Sequence, residues 1–146
     1  MNHPPHASPE IVTQPLTMDL ISGVGVRPVE AELEYDPTCP YAVTARFSVD
    51  DATVTWTFAR DLLGQGVFEP AGAGEVRVRP DLDDAGHAAV LIELHSPQGV
   101  GLLLASSREV ARFLDRSASA VRPGTESGYL DIDATIDAVL VGASGD

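Results

Sequence analysis

Alternating apolar and polar residues over about seven short runs, tight turns between consecutive runs, and two later stretches of helical periodicity predict an α+β domain. The expected architecture is antiparallel sheet with helices packed on it, in the order four strands, a short helix, three strands and two helices. A chain of 146 residues makes one domain, and folding at this size buries about two thirds of the surface of the unfolded chain. With 44% apolar residues and scattered charges, the body is not a disordered acidic chain. Residues 1–15 carry four prolines and no apolar run, and read as a flexible tail before a domain at 16–142 and a short tail at 143–146.

Each element has its own signal. Leu16, Met18 and Leu20 alternate with Thr17 and Asp19, a half-buried strand. After the break at Gly23 and Gly25, Val29, Ala31, Leu33 and Tyr35 alternate with Glu30, Glu32 and Glu34, which gives a strand with an acidic outer face closed by Pro37 and Pro40. Val43 to Val49 and Val54 to Phe58 alternate on either side of Asp50–Ala52, the clearest hairpin signal in the chain. Phe47, Trp56 and Phe58 fall on its inward face. Ala59 to Gln65 reads as two helical turns stopped by Gly66. Val76 and Val78 then face inward on a fifth strand. Val90, Ile92 and Leu94 mark the sixth, and Ser96-Pro97-Gln98-Gly99 has type I turn preferences, so Val100 to Leu104 folds back antiparallel. Leu91 and Leu103 on opposite faces imply cover on both sides of this hairpin. Ser106 and Glu109 have capping-box spacing, and Val110, Phe113 and Leu114 form the stripe of the helix that follows. A last helix is expected over Asp131–Val141, with Ile132, Ile136, Val139 and Leu140 on one side and Gly142 at its end.

The charge is unusual. Twenty-two acidic residues against nine arginines give −13, with no lysine at all. Phosphate neutralisation needs a basic patch, so this composition works against nucleic-acid binding. One cysteine, Cys39, rules out an internal disulfide framework, and no Cys/His cluster has the spacing of a zinc site. His87 and His95 lie outside any nucleophile motif. Asp81, Asp83 and Asp84 resemble the start of a calcium loop, but the twelfth position is Ile92, where a bidentate glutamate is required. The glycines at 72 and 74 precede a strand rather than a helix, the wrong setting for a phosphate cradle. No catalytic, cofactor or metal-binding residue emerges. What does emerge is a pair of charged surfaces. Arg108, Arg112 and Arg116 recur at every fourth position along one helix ridge, where like charges repel by a few tenths of a kcal/mol per pair. The row Glu30, Glu32 and Glu34 is its natural complement, within the chain or on a neighbouring subunit.

The segments PYAVTARF at 40–47, VTWTFARDLL at 54–63, GEVRVRP at 74–80, LHSPQG at 94–99, RPGTE at 122–126 and LDIDATI at 130–136 occur in the order in which they resemble the SsgA-like sporulation and cell-division proteins of actinobacteria. The resemblance runs from about residue 16 to 141. It implies a fold like that of the Whirly and mitochondrial RNA-binding proteins, assembled into a bell-shaped homotrimer. It also implies a non-enzymatic cytoplasmic regulator at the division septum, which recruits the division GTPase FtsZ or directs septal and spore-wall peptidoglycan assembly, without membrane insertion. Single-stranded nucleic-acid binding is the alternative by fold analogy. It would need a basic groove with exposed aromatics, whereas Phe47, Trp56, Phe58 and Phe113 are expected in the core.

Overall fold

The computed structural model describes residues 10–129. Among these residues seven strands form one antiparallel sheet: β1 (Val12–Ser22), β2 (Gly25–Tyr35), β3 (Ala42–Val49), β4 (Ala52–Ala59), β5 (Val76–Leu82), β6 (Ala88–Ser96) and β7 (Gly99–Ser106). Helix α1 (Arg60–Gly66) links β4 to β5, and α2 (Ser107–Ala120) follows β7. A 3-10 turn spans Glu126–Tyr129.

The strand order is β4-β3-β2-β1-β7-β6-β5, so β4 and β5 are the two ends of the sheet. Helix α1 packs on both. The sheet therefore curls, and its concave face closes around one core, with α2 packed inside the curl on β1, β6 and β7. Period-two patterning dictates what enters that core. Leu16 pairs with Ala31, Ala31 with Phe47 and Phe47 with Val54, so one inward row crosses four strands. Leu20, Leu103, Ile92 and Val78 make the matching row across the other half. Val110 and Phe113 seal the two rows from the helix side and are fully buried. Leu91 and Leu103 are 2% and 1% exposed on opposite faces, so both sides of the β6–β7 hairpin are covered.

Two prolines inside strands have a shared explanation. Pro28 lies on β2 outside the Ala31–Glu34 stretch that pairs with β3, and Pro15 lies on β1 outside the Asp19–Ile21 stretch that pairs with β7. Each sits where its strand has one neighbour, so the missing N–H leaves no ladder bond unmade.

Several boundaries differ from the sequence-based expectation. β1 starts at Val12, inside the segment read as tail, because Val12–Pro15 pair with Glu32–Tyr35 and Gln14 Nε2 donates to Glu109 O at 3.0 Å. Phe47, Phe58 and Phe113 are core residues as expected, but Trp56 is only half-buried, since β4 is an edge strand with no neighbour beyond it to complete the cover. The capping box forms by half: Glu109 N donates to Ser106 Oγ at 3.4 Å, while Glu109 Oε2 lies buried without a hydrogen-bond partner among the described residues. The helix expected at Asp131–Val141 lies outside the described residues.

Glycine is required at the end of α1 by a close approach. A Cβ on Gly66 would stand 2.2 Å from Cγ1 of Val78, so the helix could not rest on β5 with any side chain there.

Candidate functional site

The densest polar arrangement in the structure is buried, where α1, the C-terminus of α2 and the 3-10 turn meet. Arg60 opens α1 and is 3% exposed. Its Nη1 donates to Ser117 O at 3.1 Å, which also accepts the Val121 N–H, and to Val121 O at 2.7 Å, just past the last turn of α2. Nη2 donates to Glu126 Oε2 at 2.8 Å, an ion pair in which both side chains are buried. The guanidinium lies 4.6 Å from the ring centroid of Tyr35. Tyr35 in turn donates its hydroxyl to Pro40 O at 2.8 Å. Burial pushes the Tyr35 phenol up to about 12 against the opposing pull of Arg60. The Arg60 hydrogen bond holds the Glu126 carboxyl below the usual carboxylate range, helped by the Gly124 N–H on Oε1.

Beside this network a cavity of about 570 Å³ opens between α1 and α2. Leu114, Ala111 and Ala118 line it from α2, Gly64 and Val67 from the α1 side, and Pro123 from the segment after α2. Asp61 and Asp115 stand at its edges, and Phe68 is 83% exposed beside it.

The arginine ridge and the acidic row do not meet. Arg116 is taken up by β1, donating to Thr13 O at 2.8 Å and Gln14 Oε1 at 3.4 Å. Arg108 and Arg112 are exposed, and among the described residues neither has a carboxylate within ion-pair distance. The acidic row lies on the convex side of the sheet, opposite α2. There Arg46 on β3 bridges Glu34 at 2.8 Å and Glu32 at 3.4 Å, and the Glu34 bond raises the Arg46 pKa. Pairing of the ridge with the row inside one chain is therefore corrected: cross-strand geometry supplies Arg46 instead, and Glu30 stays exposed.

The remaining candidates resolve into local structure. Asp83 Oδ1 accepts from the backbone N–H of Ala85 and His87, which fixes the β5–β6 loop and lowers the Asp83 pKa. His95 Nε2 lies 3.1 Å from Glu93, which also bridges Arg79 at 3.1 Å. Cys39 is exposed and unpaired in the β2–β3 loop. Among the described residues no group of three metal-ligating side chains converges, and no helix is long and apolar enough to cross a membrane.

Residues 29–126 match the family of the Streptomyces sporulation and cell division protein SsgA. The chain belongs to the SsgA family. Among its relatives, the sporulation-specific cell division protein SsgB of Kineococcus radiotolerans is 44% identical over 134 residues, covering 90% of this chain and 81% of the relative. SsgB of Streptomyces coelicolor is 43% identical over 122 residues, covering 83% and 88%. The crystal structure of an SsgA-like sporulation-specific cell division protein from Thermobifida fusca superposes with a TM-score of 0.81 at 38% identity, over 90% of this chain and 96% of that one. These agree with the curled seven-stranded sheet and two helices described above.

Glu126, the last residue of the SsgA-family match, joins two of the segments that carry the resemblance. Arg60 lies in VTWTFARDLL and Glu126 closes RPGTE, and the two segments meet through this ion pair. Sequence reasoning missed the pair because Arg60 reads only as a residue in the first turn of a short helix over Ala59–Gln65. The usable signal was a charged residue at a position that helical phase turns toward the core.

Proposed function

We propose that this protein is a non-enzymatic scaffold of sporulation-specific cell division, which positions septa by recruiting FtsZ or by directing septal and spore-wall peptidoglycan assembly. The observation that carries this reading is membership of the SsgA family, with curated relatives named sporulation-specific cell division proteins and aligned over most of both chains. The charged surfaces support a docking role. No feature favours the nucleic-acid reading: Phe47 and Phe58 are buried and unavailable for base stacking, and most of the surface charge is negative.

The assembly we propose is the Whirly-like homotrimer. Arg108 and Arg112 on one side of the molecule and Glu30 on the other form two different, complementary patches. Contacts of that kind are heterologous, and they close into a ring where the rotation between neighbours returns to the start. Light scattering is expected to give three times the monomer mass, and Arg112→Glu to lower it. A monomer at micromolar concentration would refute the trimer. The function itself is tested by imaging a fluorescent fusion in sporulating hyphae and by co-sedimentation with polymerised FtsZ. Ladders of septal signal and co-pelleting are expected. Uniform cytoplasmic fluorescence, with normal septa in a deletion strain, would overturn the reading.

A further inference from the structure

We infer that the cavity between α1 and α2 is a docking groove for an amphipathic partner helix, apolar along one side and basic at its flanks. The inference deepens the scaffold reading and rests on it. Three features of the groove specify this occupant. Its walls are helices, so a third helix can lay its ridge between them. The wall residues are small where the two helices face the opening: Gly64 has open space where a side chain would be, and Ala111 and Ala118 project a single methyl each. Large apolar side chains of a visitor would fill that space and cover Leu114 and Val67, with the exposed ring of Phe68 folding against them. Finally, the edges carry Asp61 and Asp115, and the one cation in the lining, Arg60, is already neutralised by Glu126.

Charge then separates the possible occupants. Residues 130–146 of the chain hold four aspartates and no basic residue and would set negative charge against Asp61 and Asp115. A cationic helix would find complementary charge on both walls, Asp61 from α1 and Asp115 from α2, which favours it over that segment and speeds its encounter.

The test uses the full chain and a fluorescently labelled amphipathic peptide of leucine and lysine, followed by anisotropy. The double variant D61K/D115K is expected to weaken binding by about tenfold or more, as is a leucine–glutamate peptide on the wild-type protein. D51K/D84K makes the same charge change on exposed loops and is expected to bind like wild type. A118W, which fills the groove, should also lose binding; D61K/D115K decides the question if A118W does not fold. Equal loss in D51K/D84K would overturn the inference, because binding would then follow bulk charge. So would unchanged binding in D61K/D115K, tighter binding after removal of residues 130–146, or a changed oligomer mass in D61K/D115K, the last two meaning that the chain itself fills the groove. The FtsZ experiment separates this inference from the reading beneath it. Wild-type levels of co-pelleting by D61K/D115K would sink the groove alone, whereas failure of the wild-type protein to pellet would sink FtsZ recruitment and leave the peptide result to decide the groove.

Discussion

Arg60 supplies to the end of α2 what glycine or water supplies to most helix C-termini. Its guanidinium takes two terminal carbonyls, a carboxylate and an aromatic face at once. Removing one partner of a buried ion pair is worse than removing both, because the other charge stays stranded. Arg60→Met is therefore expected to lower the melting temperature more than Glu126→Gln, and the double variant should recover part of the Arg60→Met loss; calorimetry checks both. The pH dependence follows from the same group. The Glu126 carboxyl is held below its unfolded value, so its contribution is complete above the ordinary carboxylate range and is lost as pH falls through the lowered pKa. Glu126→Gln should flatten that acid limb of a melting-temperature profile. Tyr35 acts at the opposite end. Its pKa is raised to about 12, so stability is whole below the ordinary phenol value near 10 and declines as pH climbs from there toward 12. Tyr35→Phe is expected to remove that part of the alkaline decline while losing the bond to Pro40. The inward position of Arg60 is legible from helical phase, but its partners are not. Periodicity reports which face a residue lies on, but carries no information about which buried partner stands across from it.

At the scale of elements the sequence was informative wherever alternation met an unambiguous turn. The β3–β4 hairpin falls within two residues of its expected ends: β4 starts at Ala52 rather than Val54, because Asp50 takes a positive φ of 56°, which asparagine and aspartate tolerate, and the turn closes on the Val49–Ala52 rung. β1 was under-read for the opposite reason: Pro15 looks like a terminator, and only the one-sided pairing at that point makes it harmless. Two substitutions test the elements directly. Ser106→Ala removes the side-chain acceptor for the Glu109 N–H and is expected to cost about 1 kcal/mol in denaturant unfolding. Gly66→Ala forces α1 away from Val78 and is expected to cost roughly 1–3 kcal/mol, more than a helix propensity gain can offset. If Gly66→Ala proves neutral, α1 does not rest on β5 as described.

For the molecule as a whole, the net charge of −13 says less than its distribution. Arg27, Arg46, Arg60 and Arg79 answer acids of their own chain, Arg77 and Arg116 answer backbone, and Arg108 and Arg112 remain turned outward. That arrangement could be anticipated in outline from helix phase alone. Its partner surface could not, because Glu32 and Glu34 of the acidic row are paired with Arg46 on a neighbouring strand, which leaves Glu30 as the exposed member. The strand order has a kinetic consequence. β1 to β4 zip up as one run of local hairpins and β5 to β7 as another, while the two runs share only the rungs Asp19–Leu104, Leu20–Leu103 and Ile21–Leu102. Contacts between distant parts of a chain are slow to form, so this seam is expected to close last. Leu103→Ala should then speed unfolding and leave refolding nearly unchanged in stopped-flow measurements. A matching slowdown in refolding would place the seam in the nucleus. With a late seam, the chain passes through a stage in which two preformed half-sheets expose their unpaired edges, which makes that stage the one most open to edge-to-edge pairing with other chains.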